Sequence, residues 1–335
     1  MIGRATDRRV SITGLGSYAP ERVLSNDDLA RIVNTSDEWI IERTGIRERR
    51  IAAESEAMSD LALPAARQAL ARAGLTGRDI DLVIVATVTA DMAFPATAAL
   101  LSDQLGSTEA AAYDLSAGCT GFMYALAQGQ AMVSSGLAER ALVVGGDVLS
   151  RILDWTDRST LVLFGDGAGA VVLEPVEEGG FLGFELGADG AGGRDLTLPG
   201  SGSRAVEPGQ HEFLTMNGRE VFKFATRVLV SSAEAVLATC GKTVADVDVY
   251  VPHQANVRII DHAVRKLGFP DEKVVVNVDR YGNTSSGSIP LALADADLDG
   301  RLRAGRLVLM TGMGAGLTWG SALMEWTLDT NGASQ

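Results

Sequence analysis

The chain contains two cysteines and three histidines, and one cysteine lies in a context that suits catalysis. Cys119 falls in a run of small residues, 116–121, between an apolar stretch that predicts a strand over 111–115 and a helical pattern over 122–134. A cysteine at such a strand-to-helix turn faces backbone N–H groups at the positive end of the helix dipole, which favours the thiolate. We therefore predict that Cys119 is a nucleophile with a lowered pKa.

The other candidate residues differ in how strongly their surroundings point to chemistry. His253 directly follows an apolar strand pattern, where parallel-sheet enzymes place catalytic groups. His211 falls in a long polar, Gly-rich excursion and His262 within a helical pattern, so both are predicted to be structural or solvated. Cys240 ends an Ala-rich helical pattern and is predicted to be a small core residue. Asn283 lies in a polar turn and, on its own, would be a turn residue.

Two alternative interpretations of these features are rejected on their local sequence. The Gly-rich segments 14–19 and 165–169 imitate a dinucleotide fingerprint, but the first is followed by Pro20 and the second by a strand-like run, so neither opens the helix that would hold a pyrophosphate. The order Cys119, His253 and Asn283 matches papain-like proteases in spacing. The surrounding AGCTG differs from the cysteine motif of those enzymes.

The chain repeats part of its own pattern. Residues 65–86 align with residues 232–253 at a constant offset, and each copy predicts an Ala/Leu-rich helix, a glycine, a polar turn and a short strand. Residues 162–173 and 308–317 both predict an apolar strand, a Gly-rich turn and a return strand, as in a hairpin. We predict two homologous α/β halves, residues 1–175 with the nucleophile and residues 176–335 with the histidine and asparagine, each built on a mostly parallel sheet covered by helices.

Composition limits the class of protein. The 335 residues are 46% hydrophobic, which is enough for a large core in roughly two units. The net charge of −14 argues against a nucleic-acid partner. Two cysteines cannot form a disulfide framework, and no segment approaches the roughly 20 apolar residues of a bilayer span. The sequence predicts a soluble, cytoplasmic protein without a membrane or nucleic-acid partner.

With these residues in view, the sequence resembles the 3-oxoacyl-[acyl-carrier-protein] synthase III family over almost its whole length. The resemblance implies a thiolase fold, with two duplicated α/β halves and mixed or mostly parallel five-stranded sheets in a layered αβαβα arrangement. It rests on SDEWIIERTGI at 36–46, DLSAGCTGF at 114–122, FGDGAG at 164–169, PHQAN at 252–256, GNTSS at 282–286 and LTWGS at 317–321.

The resemblance also implies a reaction, the decarboxylative condensation of an acyl-CoA primer with malonyl-acyl-carrier protein. Cys119 would take the acyl group as a thioester. His253 and Asn283 would donate hydrogen bonds to the malonyl thioester carbonyl, and the backbone N–H groups of Cys119 and Ala315 would bind the acyl carbonyl. The family often has glycine where Ala315 stands, which leaves the backbone donor intact. No metal and no cofactor are implied, because acyl-CoA and malonyl-acyl-carrier protein are substrates.

Binding residues follow from the resemblance in three groups. A large aromatic at position 94 would reach across a homodimer into the partner's acyl pocket and would favour a short primer. A basic helix face, with His262 among its residues, would dock the acidic acyl carrier protein. The groups are Thr35, Trp39, Arg43, Arg158, Gly218 and Asn256 for CoA; Phe94 and Met313 for the acyl pocket; and Lys223, Gln254, Arg258, Arg265 and Lys266 for the carrier protein.

Several functions remain open at this point. Within the fold, the alternatives are a priming ketosynthase of a polyketide or other secondary-metabolite pathway, and an acyltransferase without the decarboxylative step. Outside it, they are a thioesterase, in which water replaces the carbanion, and a non-catalytic carrier-binding subunit, which conflicts with the presence of Cys119. The sequence does not define the preferred primer, because discrimination by one methylene rests on only about 1–3 kcal/mol.

Overall fold

The computed structural model describes residues 8–200, 202–203 and 212–329. The described residues up to 175 form seven strands and six α-helices. The elements are β1 (Val10–Tyr18), β2 (Arg22–Ser25), α1 (Asn26–Ala30), α2 (Asp37–Thr44), β3 (Glu48–Ile51), α3 (Met58–Ala73), β4 (Leu82–Ala86), α4 (Thr97–Leu105), β5 (Ala111–Leu115), α5 (Gly121–Ser134), β6 (Ala141–Asp147), α6 (Arg158–Leu161) and β7 (Gly167–Pro175).

The remaining described residues follow a similar alternation and end in a long hairpin. The elements are β8 (Gly180–Ala188), β9 (Leu196–Thr197), β10 (Thr215–Met216), α7 (Gly218–Thr239), β11 (Val249–Pro252), α8 (Val257–Leu267), α9 (Val278–Tyr281), α10 (Ser288–Leu298), β12 (Leu307–Gly314) and β13 (Thr318–Glu325).

Two mixed sheets form the framework. The first has the order β1-β7-β6-β4-β5, with β4 parallel to β5 and β6, and β7 antiparallel to β1 and β6. The second has the order β11-β12-β13-β8, with only β11 and β12 parallel. Strands β4 and β6 are buried along their whole length, which explains their unbroken apolar sequences. The predicted α/β class is confirmed.

The second sheet has four strands rather than the predicted five. Residues 274–277 run beside β11 in the place of a fifth strand. There, Tyr250 and Val274 form an isolated bridge, and the Val275 N–H donates to the Tyr250 carbonyl at 2.9 Å. Because pairing stops after this short contact, the segment is not a strand.

Helices separate and cover the sheets, giving the predicted αβαβα layers. Ile84 of β4, Phe122 of α5, Ile289 of α10 and Met310 of β12 belong to one buried cluster, so α5 and α10 lie between the sheets. Helices α3 and α4 pack on the outer face of the first sheet, and α7 and α8 on that of the second. Within the described residues, no helix is both long enough and apolar enough to span a membrane.

The segments that align in sequence also share local structure. Gly74 and Gly241 follow α3 and α7 with φ of +70° and +66°, the left-handed conformation that suits glycine at a helix end. After each glycine, a threonine hydroxyl and an aspartate three residues later hydrogen-bond at 2.7 Å. The division into halves near residue 175 stays a prediction; that position is the last residue of β7.

Of the two predicted hairpins, one is present. Residues 308–317 belong to the β12–β13 hairpin. The hairpin predicted over 162–173 is wrong, because residues 162–164 form a turn and an isolated bridge rather than a strand, and β7 pairs with β1 and β6 instead. Val162 and Phe164 are apolar because they are buried in the core beneath α7 and α8, not because they form a strand.

Candidate active site

Cys119 lies in a tight turn between β5 and α5, as predicted. Gly118 adopts φ +56°, and its carbonyl accepts the Gly121 N–H at 3.0 Å. A Cβ on Gly118 would come within 2.8 Å of the Ala315 nitrogen, and one on Gly314 within 2.5 Å of the Cys119 nitrogen. Glycine at both positions therefore lets the β12–β13 turn approach the nucleophile at backbone distance.

Hydroxyl groups from the C-terminal part of the chain hold this turn. The Thr318 hydroxyl lies 2.9 Å from the Ala117 carbonyl oxygen and 3.0 Å from the Thr120 hydroxyl. The Ser286 hydroxyl donates to the Gly118 carbonyl at 3.0 Å. The position of Cys119 is thus fixed by residues about 170 to 200 positions away in sequence.

The pKa of Cys119 does not follow the prediction. Burial raises the pKa of the thiol to about 11; a hydrogen bond with the Ser285 side chain lowers it, and the negative charge of Asp147 raises it. The predicted lowering of this pKa is wrong, because loss of hydration outweighs the position ahead of α5. At neutral pH the free enzyme holds a protonated thiol, so nucleophilic attack requires a proton acceptor.

His253 directly follows β11 and is 1% exposed. Its backbone N–H donates to the Thr311 carbonyl at 2.8 Å, which ties the residue to β12. Burial lowers the pKa of the imidazole to about 4, so the ring is neutral at physiological pH. A neutral imidazole has one N–H donor and one acceptor nitrogen.

The neighbours of His253 indicate which nitrogen carries the proton. Nδ1 lies 2.9 Å from the Ser288 hydroxyl oxygen, which also accepts the Gln254 backbone N–H at 2.7 Å. Ser288 can therefore donate its own proton to Nδ1. We assign the imidazole proton to Nε2 on this hydrogen-bond pattern, which makes His253 a donor toward the substrate.

The side-chain amide oxygen of Asn283 already accepts a hydrogen bond. Its backbone N–H donates to the Leu163 carbonyl at 2.8 Å, and its Oδ1 accepts the Ser285 N–H at 2.9 Å. Gly282 precedes it with φ +64° and ψ −159°, a conformation that is essentially restricted to glycine. Because Oδ1 is engaged, Nδ2 is the atom that Asn283 has left for a ligand.

Two cavities meet at Cys119. The first, which we call the His253 cavity, has a volume of about 90 Å³ and is lined by Cys119, His253 and Asn283. The second, the Leu149 cavity, has a volume of about 400 Å³ and lies beside Cys119, Leu149 and Ala315. The three predicted catalytic side chains are therefore brought together, and Cys119 lines both spaces, as do Phe164 and Leu196.

The two predicted acyl-pocket residues lie in different surroundings. Met313 is buried and lines the His253 cavity, so the structure does not place it in the larger Leu149 cavity. Phe94 is 84% exposed and lines neither cavity within this chain. Its proposed role toward a second copy stays a prediction.

Several of the predicted CoA residues form a connected group that begins at the His253 cavity. Gly218 and Asn256 line it, and the Asn256 amide donates to the Arg43 carbonyl at 3.0 Å, which joins α8 to α2. The guanidinium carbons of Arg43 and Arg158 lie 4.8 and 4.7 Å from the centre of the Trp39 ring.

Thr35 precedes helix α2, the element that carries Trp39 and Arg43. Its hydroxyl oxygen is buried and has no hydrogen-bond partner among the described residues. A buried hydroxyl without a partner is costly, so this atom suits a polar ligand group.

The predicted carrier-protein residues divide into exposed and buried groups. Arg258, Arg265 and Lys266 are exposed on α8, and Arg258 lies 5.9 Å from the Phe222 ring on α7. Lys223 is exposed on α7 and pairs with Glu220 at 2.7 Å. His262 is half-buried on α8.

Gln254 does not belong to that surface. It is 1% exposed, its Nε2 donates to the carbonyls of Pro252 and Val275, and its Oε1 accepts the N–H groups of Asn277 and Val278. The prediction that it contacts the carrier protein is therefore wrong. All of its hydrogen-bonding capacity serves to hold the loop that follows β11.

The other residues considered from sequence contribute no further group to the site. Cys240 is half-buried and packs against the core beneath α7, as predicted. His211 lies outside the described residues. Within the part of the chain that the structure describes, no three His, Cys, Asp or Glu side chains come close enough to hold a metal ion.

Sequence reasoning missed the residues that support the catalytic set. Ser288 orients His253, Ser285 lines the Leu149 cavity with Cys119, and the buried Asp147 accepts the Ser286 N–H. Ser285 and Ser286 belong to the GNTSS segment, but the pattern gave them no role. Phe222 and Ile259 line the His253 cavity from α7 and α8, and their apolar spacing looks the same as that of core residues.

Comparison with known proteins gives consistent matches. Sequence profiles of 3-oxoacyl-[acyl-carrier-protein] synthase III match residues 113–190 and, for the C-terminal part of that family, residues 237–326. A beta-ketoacyl-[acyl-carrier-protein] synthase III from Symbiobacterium thermophilum is 56% identical over 326 residues, which cover 95% of this chain and 98% of the relative.

Solved structures extend the comparison to the fold. The beta-ketoacyl-[acyl carrier protein] synthase III from Thermus thermophilus is 52% identical with a TM-score of 0.90, covering 94% of this chain and 99% of the other. The priming beta-ketosynthase of the R1128 polyketide pathway is 39% identical with a TM-score of 0.91, covering 97% and 99%. Each similarity spans nearly the full length of both proteins.

Proposed function

Because the chain belongs to the 3-oxoacyl-[acyl-carrier-protein] synthase III family, we propose that the two cavities at Cys119 divide the substrates of that family's reaction. The enzyme is an acyltransferase of the condensing type. It joins an acyl-CoA primer to malonyl-acyl-carrier protein, releases CoA and CO2, and so initiates fatty-acid synthesis. The observation that carries the assignment of residues is the meeting of Cys119, His253 and Asn283 in one small cavity.

In the first half-reaction, Cys119 attacks the acyl-CoA carbonyl. The thioester arm lies in the His253 cavity and the acyl chain in the Leu149 cavity. The developing oxyanion accepts hydrogen bonds from the backbone N–H groups of Cys119 and Ala315, which the Gly118 turn brings together. Cys119 becomes acylated as CoA leaves.

In the second half-reaction, malonyl-acyl-carrier protein occupies the cavity that CoA has left. Nε2 of His253 and Nδ2 of Asn283 donate to its thioester carbonyl and stabilise the enolate that forms as CO2 departs. Donors of this type contribute about 10²–10³ in rate each. A neutral imidazole suits the step, because it donates a hydrogen bond without adding a proton to the enolate. The carbanion then attacks the acyl-Cys119 thioester, and neither half-reaction calls for a cofactor.

For CoA itself, the adenine would stack between Trp39 and Arg158. A ring stacked on both faces needs about 7 Å between its neighbours, twice an ordinary carbon contact distance. The Arg158 guanidinium lies 4.7 Å from the Trp39 ring centre, so it must move outward when CoA binds. The Arg43 charge suits a phosphate, and Thr35, Gly218 and Asn256 would contact the pantetheine arm.

Two partners are proposed. The acyl carrier protein would dock on Arg258, Arg265 and Lys266 of α8, with Lys223 of α7, since these exposed cations lie on the two helices that supply Phe222 and Ile259 to the His253 cavity. A second copy of the chain would pair at β5, which forms an edge of the first sheet, and would receive the exposed Phe94. We place the protein in the cytoplasm, where its two unpaired thiols would stay reduced.

Intact-protein mass spectrometry tests this function. The enzyme is incubated with acetyl-, branched-chain and longer acyl-CoAs, and malonyl-acyl-carrier protein is added next. We expect an acyl mass that is absent from Cys119→Ala and that disappears as 3-oxoacyl-carrier protein forms. Loss of the adduct to water, or to an acceptor without CO2 release, would contradict the proposal and favour a thioesterase or a plain acyltransferase.

The same experiment distinguishes a role in fatty-acid synthesis from the polyketide alternative. The similarity to the R1128 priming ketosynthase supports that alternative. A priming enzyme of fatty-acid synthesis would elongate its primer on the carrier protein of fatty-acid synthesis. Preference for a pathway-specific carrier protein would favour the alternative. The primer that gives the fastest adduct would identify the occupant of the Leu149 cavity.

A further inference from the structure

Arg49 is a fully buried cation outside the two cavities. It lies on β3, is 0% exposed, and lines neither the His253 cavity nor the Leu149 cavity. Within the described residues it forms no salt bridge. A buried charge is costly, and even buried ion pairs can often be replaced by apolar side chains without loss of stability. Stability alone therefore does not explain an arginine at this position.

The guanidinium of Arg49 binds neutral oxygens on three segments. Nη1 donates to the Leu24 carbonyl of β2 at 3.0 Å and to the side-chain oxygen of Asn26 on α1 at 2.9 Å. Nη2 donates to the carbonyl of Val162, the residue directly after α6, at 3.0 Å. Because a guanidinium is a rigid, planar fork, its acceptors are held in fixed directions. Val162 is thus tied to a strand that lies 113 positions earlier in the chain.

The segment that Arg49 holds is also the segment that binds the Asn283 backbone. Phe164 and Asn283 form an isolated bridge. The Asn283 N–H donates to the Leu163 carbonyl at 2.8 Å, and the Asn283 carbonyl accepts the Gly165 N–H at 3.0 Å. Both backbone polar groups of Asn283 are therefore bound to residues 163–165, which directly follow the carbonyl that Arg49 binds.

The stem of Arg49 also packs against both sides of this bridge. A Cβ on Gly165 would lie 3.0 Å from the Arg49 Cβ, and one on Gly282 would lie 3.3 Å from it. Gly282 immediately precedes Asn283, and Gly165 supplies the N–H that the Asn283 carbonyl accepts. Arg49 therefore lies against the backbone of both segments that determine where Asn283 is placed.

We propose that Arg49 is a positioning residue for Asn283. Its guanidinium fixes Val162, residues 163–165 fix the Asn283 backbone, and that backbone aims Nδ2 at the malonyl thioester carbonyl. The inference rests on the proposed function, in which Asn283 stabilises the enolate. Displacement of a catalytic group by about 1 Å can cost about 100-fold in rate, so a modest shift of this backbone is enough to slow decarboxylation.

A double-mutant cycle tests this connection. Decarboxylation of malonyl-acyl-carrier protein is measured as CO2 release in a Cys119→Ala background, with Arg49 and Asn283 changed singly and together. Arg49→Lys keeps the charge and loses the fork, so we expect it to slow decarboxylation about tenfold or more. In Asn283→Ala, where no amide is left to position, the same change should alter the rate by less than about twofold. Equal slowing in both backgrounds would overturn the proposal, because Arg49 would then act independently of Asn283.

Acylation of Cys119 gives a second readout of the same substitution. The enzyme with Cys119 intact is acylated at saturating acyl-CoA and followed by rapid-quench mass spectrometry, so that a change in CoA affinity does not enter the rate. We expect Arg49→Lys to leave this rate within about threefold, since Asn283 acts on the malonyl substrate. An equal loss of acylation and decarboxylation would overturn the proposal and indicate a general structural role.

Arg49→Met keeps the test decisive if the lysine variant does not fold. Methionine preserves an unbranched apolar stem and leaves no buried charge without acceptors. It should reproduce the selective loss of decarboxylation, because the fork is absent from both variants. Normal decarboxylation by Arg49→Met would overturn the proposal, since the hydrogen bonds of the guanidinium would then be dispensable.

Arg72→Lys is the matched control. Both terminal nitrogens of Arg72 donate to Asp297, which joins α3 to α10 in a partly buried ion pair. The control therefore removes a guanidinium fork from another partly enclosed site, and both half-reactions should be retained. Failure of the wild-type enzyme to become acylated, or of Cys119→Ala with Arg49 and Asn283 intact to release CO2, would instead reject the proposed function itself.

Discussion

The Nδ1 nitrogen of His253 and the hydroxyl oxygen of Ser288 lie 2.9 Å apart, and both residues are almost fully buried. Ser288 begins α10, the helix between the two sheets, so the orientation of the imidazole is tied to the central layer of the fold. The same hydroxyl also receives the Gln254 N–H, and its own proton is available for donation to the ring. On this hydrogen-bond pattern we assign the imidazole proton to Nε2, which makes His253 a donor toward the substrate.

Ser288→Ala should therefore impair the half-reaction that uses His253. Without the hydroxyl, the imidazole can adopt the other tautomer and rotate, and we expect decarboxylation of malonyl-acyl-carrier protein to slow about tenfold or more. Acylation of Cys119 by acyl-CoA should change much less. The two half-reactions are measured by CO2 release and by mass spectrometry. Equal slowing of both would indicate a general disturbance of the site.

The low pKa of His253 predicts how decarboxylation depends on pH. The imidazole remains neutral until the pH approaches about 4, so the rate should be flat from about pH 5.5 to 8 and should fall only at lower pH. A free histidine, with a pKa near 6.5, would place the decline about two pH units higher. CO2 release in the Cys119→Ala background gives the profile. A midpoint near pH 6.5 would contradict the buried, neutral imidazole.

The same group links stability to pH with a definite sign. The folded-state pKa of His253 is lowered from 6.5 to about 4, so the unfolded chain binds the proton first as the pH falls. The stability contributed by the neutral ring is present above about pH 6.5 and is lost as the pH drops toward 4. Relative to His253→Gln, the wild type should lose about 3 kcal/mol of unfolding free energy across this range, measured by urea denaturation at each pH. A constant difference between the two proteins would contradict the assignment.

Local patterns predicted the nucleophile turn closely. The strand predicted over 111–115 is β5, and the helix predicted over 122–134 begins one residue earlier, at Gly121. Apolar periodicity and the run of small residues between these elements are properties of the sequence itself. The position of His253 after β11 was equally predictable from the sequence, because it depends on where one apolar run ends.

Burial and long-range contacts could not be predicted from such local patterns. The pKa of Cys119 was predicted in the wrong direction because the enclosure of its sulfur arises from segments far away in sequence. Gln254 looked like a surface residue, but its amide binds backbone groups of Val275 and Asn277. Asp147 carried no pattern, since its hydrogen bond with the Ser286 N–H joins residues 139 positions apart.

The close approach at Gly314 gives a prediction about packing. A Cβ there would lie 2.5 Å from the Cys119 nitrogen, so Gly314→Ala must displace the nucleophile turn. We expect unfolding free energy to fall by about 1–3 kcal/mol, the usual cost of overpacking, and Cys119 acylation to slow more than 100-fold. Gly190→Ala is the matched control, because nothing lies within 4 Å of a Cβ at that position. Wild-type acylation by Gly314→Ala would show that the turn can move without loss of function.

The proposed carrier-protein surface predicts a change in KM rather than in chemistry. Arg258→Glu and Arg265→Glu reverse charges on an exposed face of α8 without touching Cys119, so the KM for malonyl-acyl-carrier protein should rise tenfold or more. Acylation by acyl-CoA, which needs no carrier protein, should change little. Because exposed charges are screened by salt, the KM of the wild type should also rise with ionic strength, and that of the variants should rise less. Arg78→Glu makes the same charge change at an exposed site before β4, far along the chain from α8, and should leave the KM unchanged. An equal effect of all three substitutions would indicate that net charge, and not this face of α8, governs the encounter.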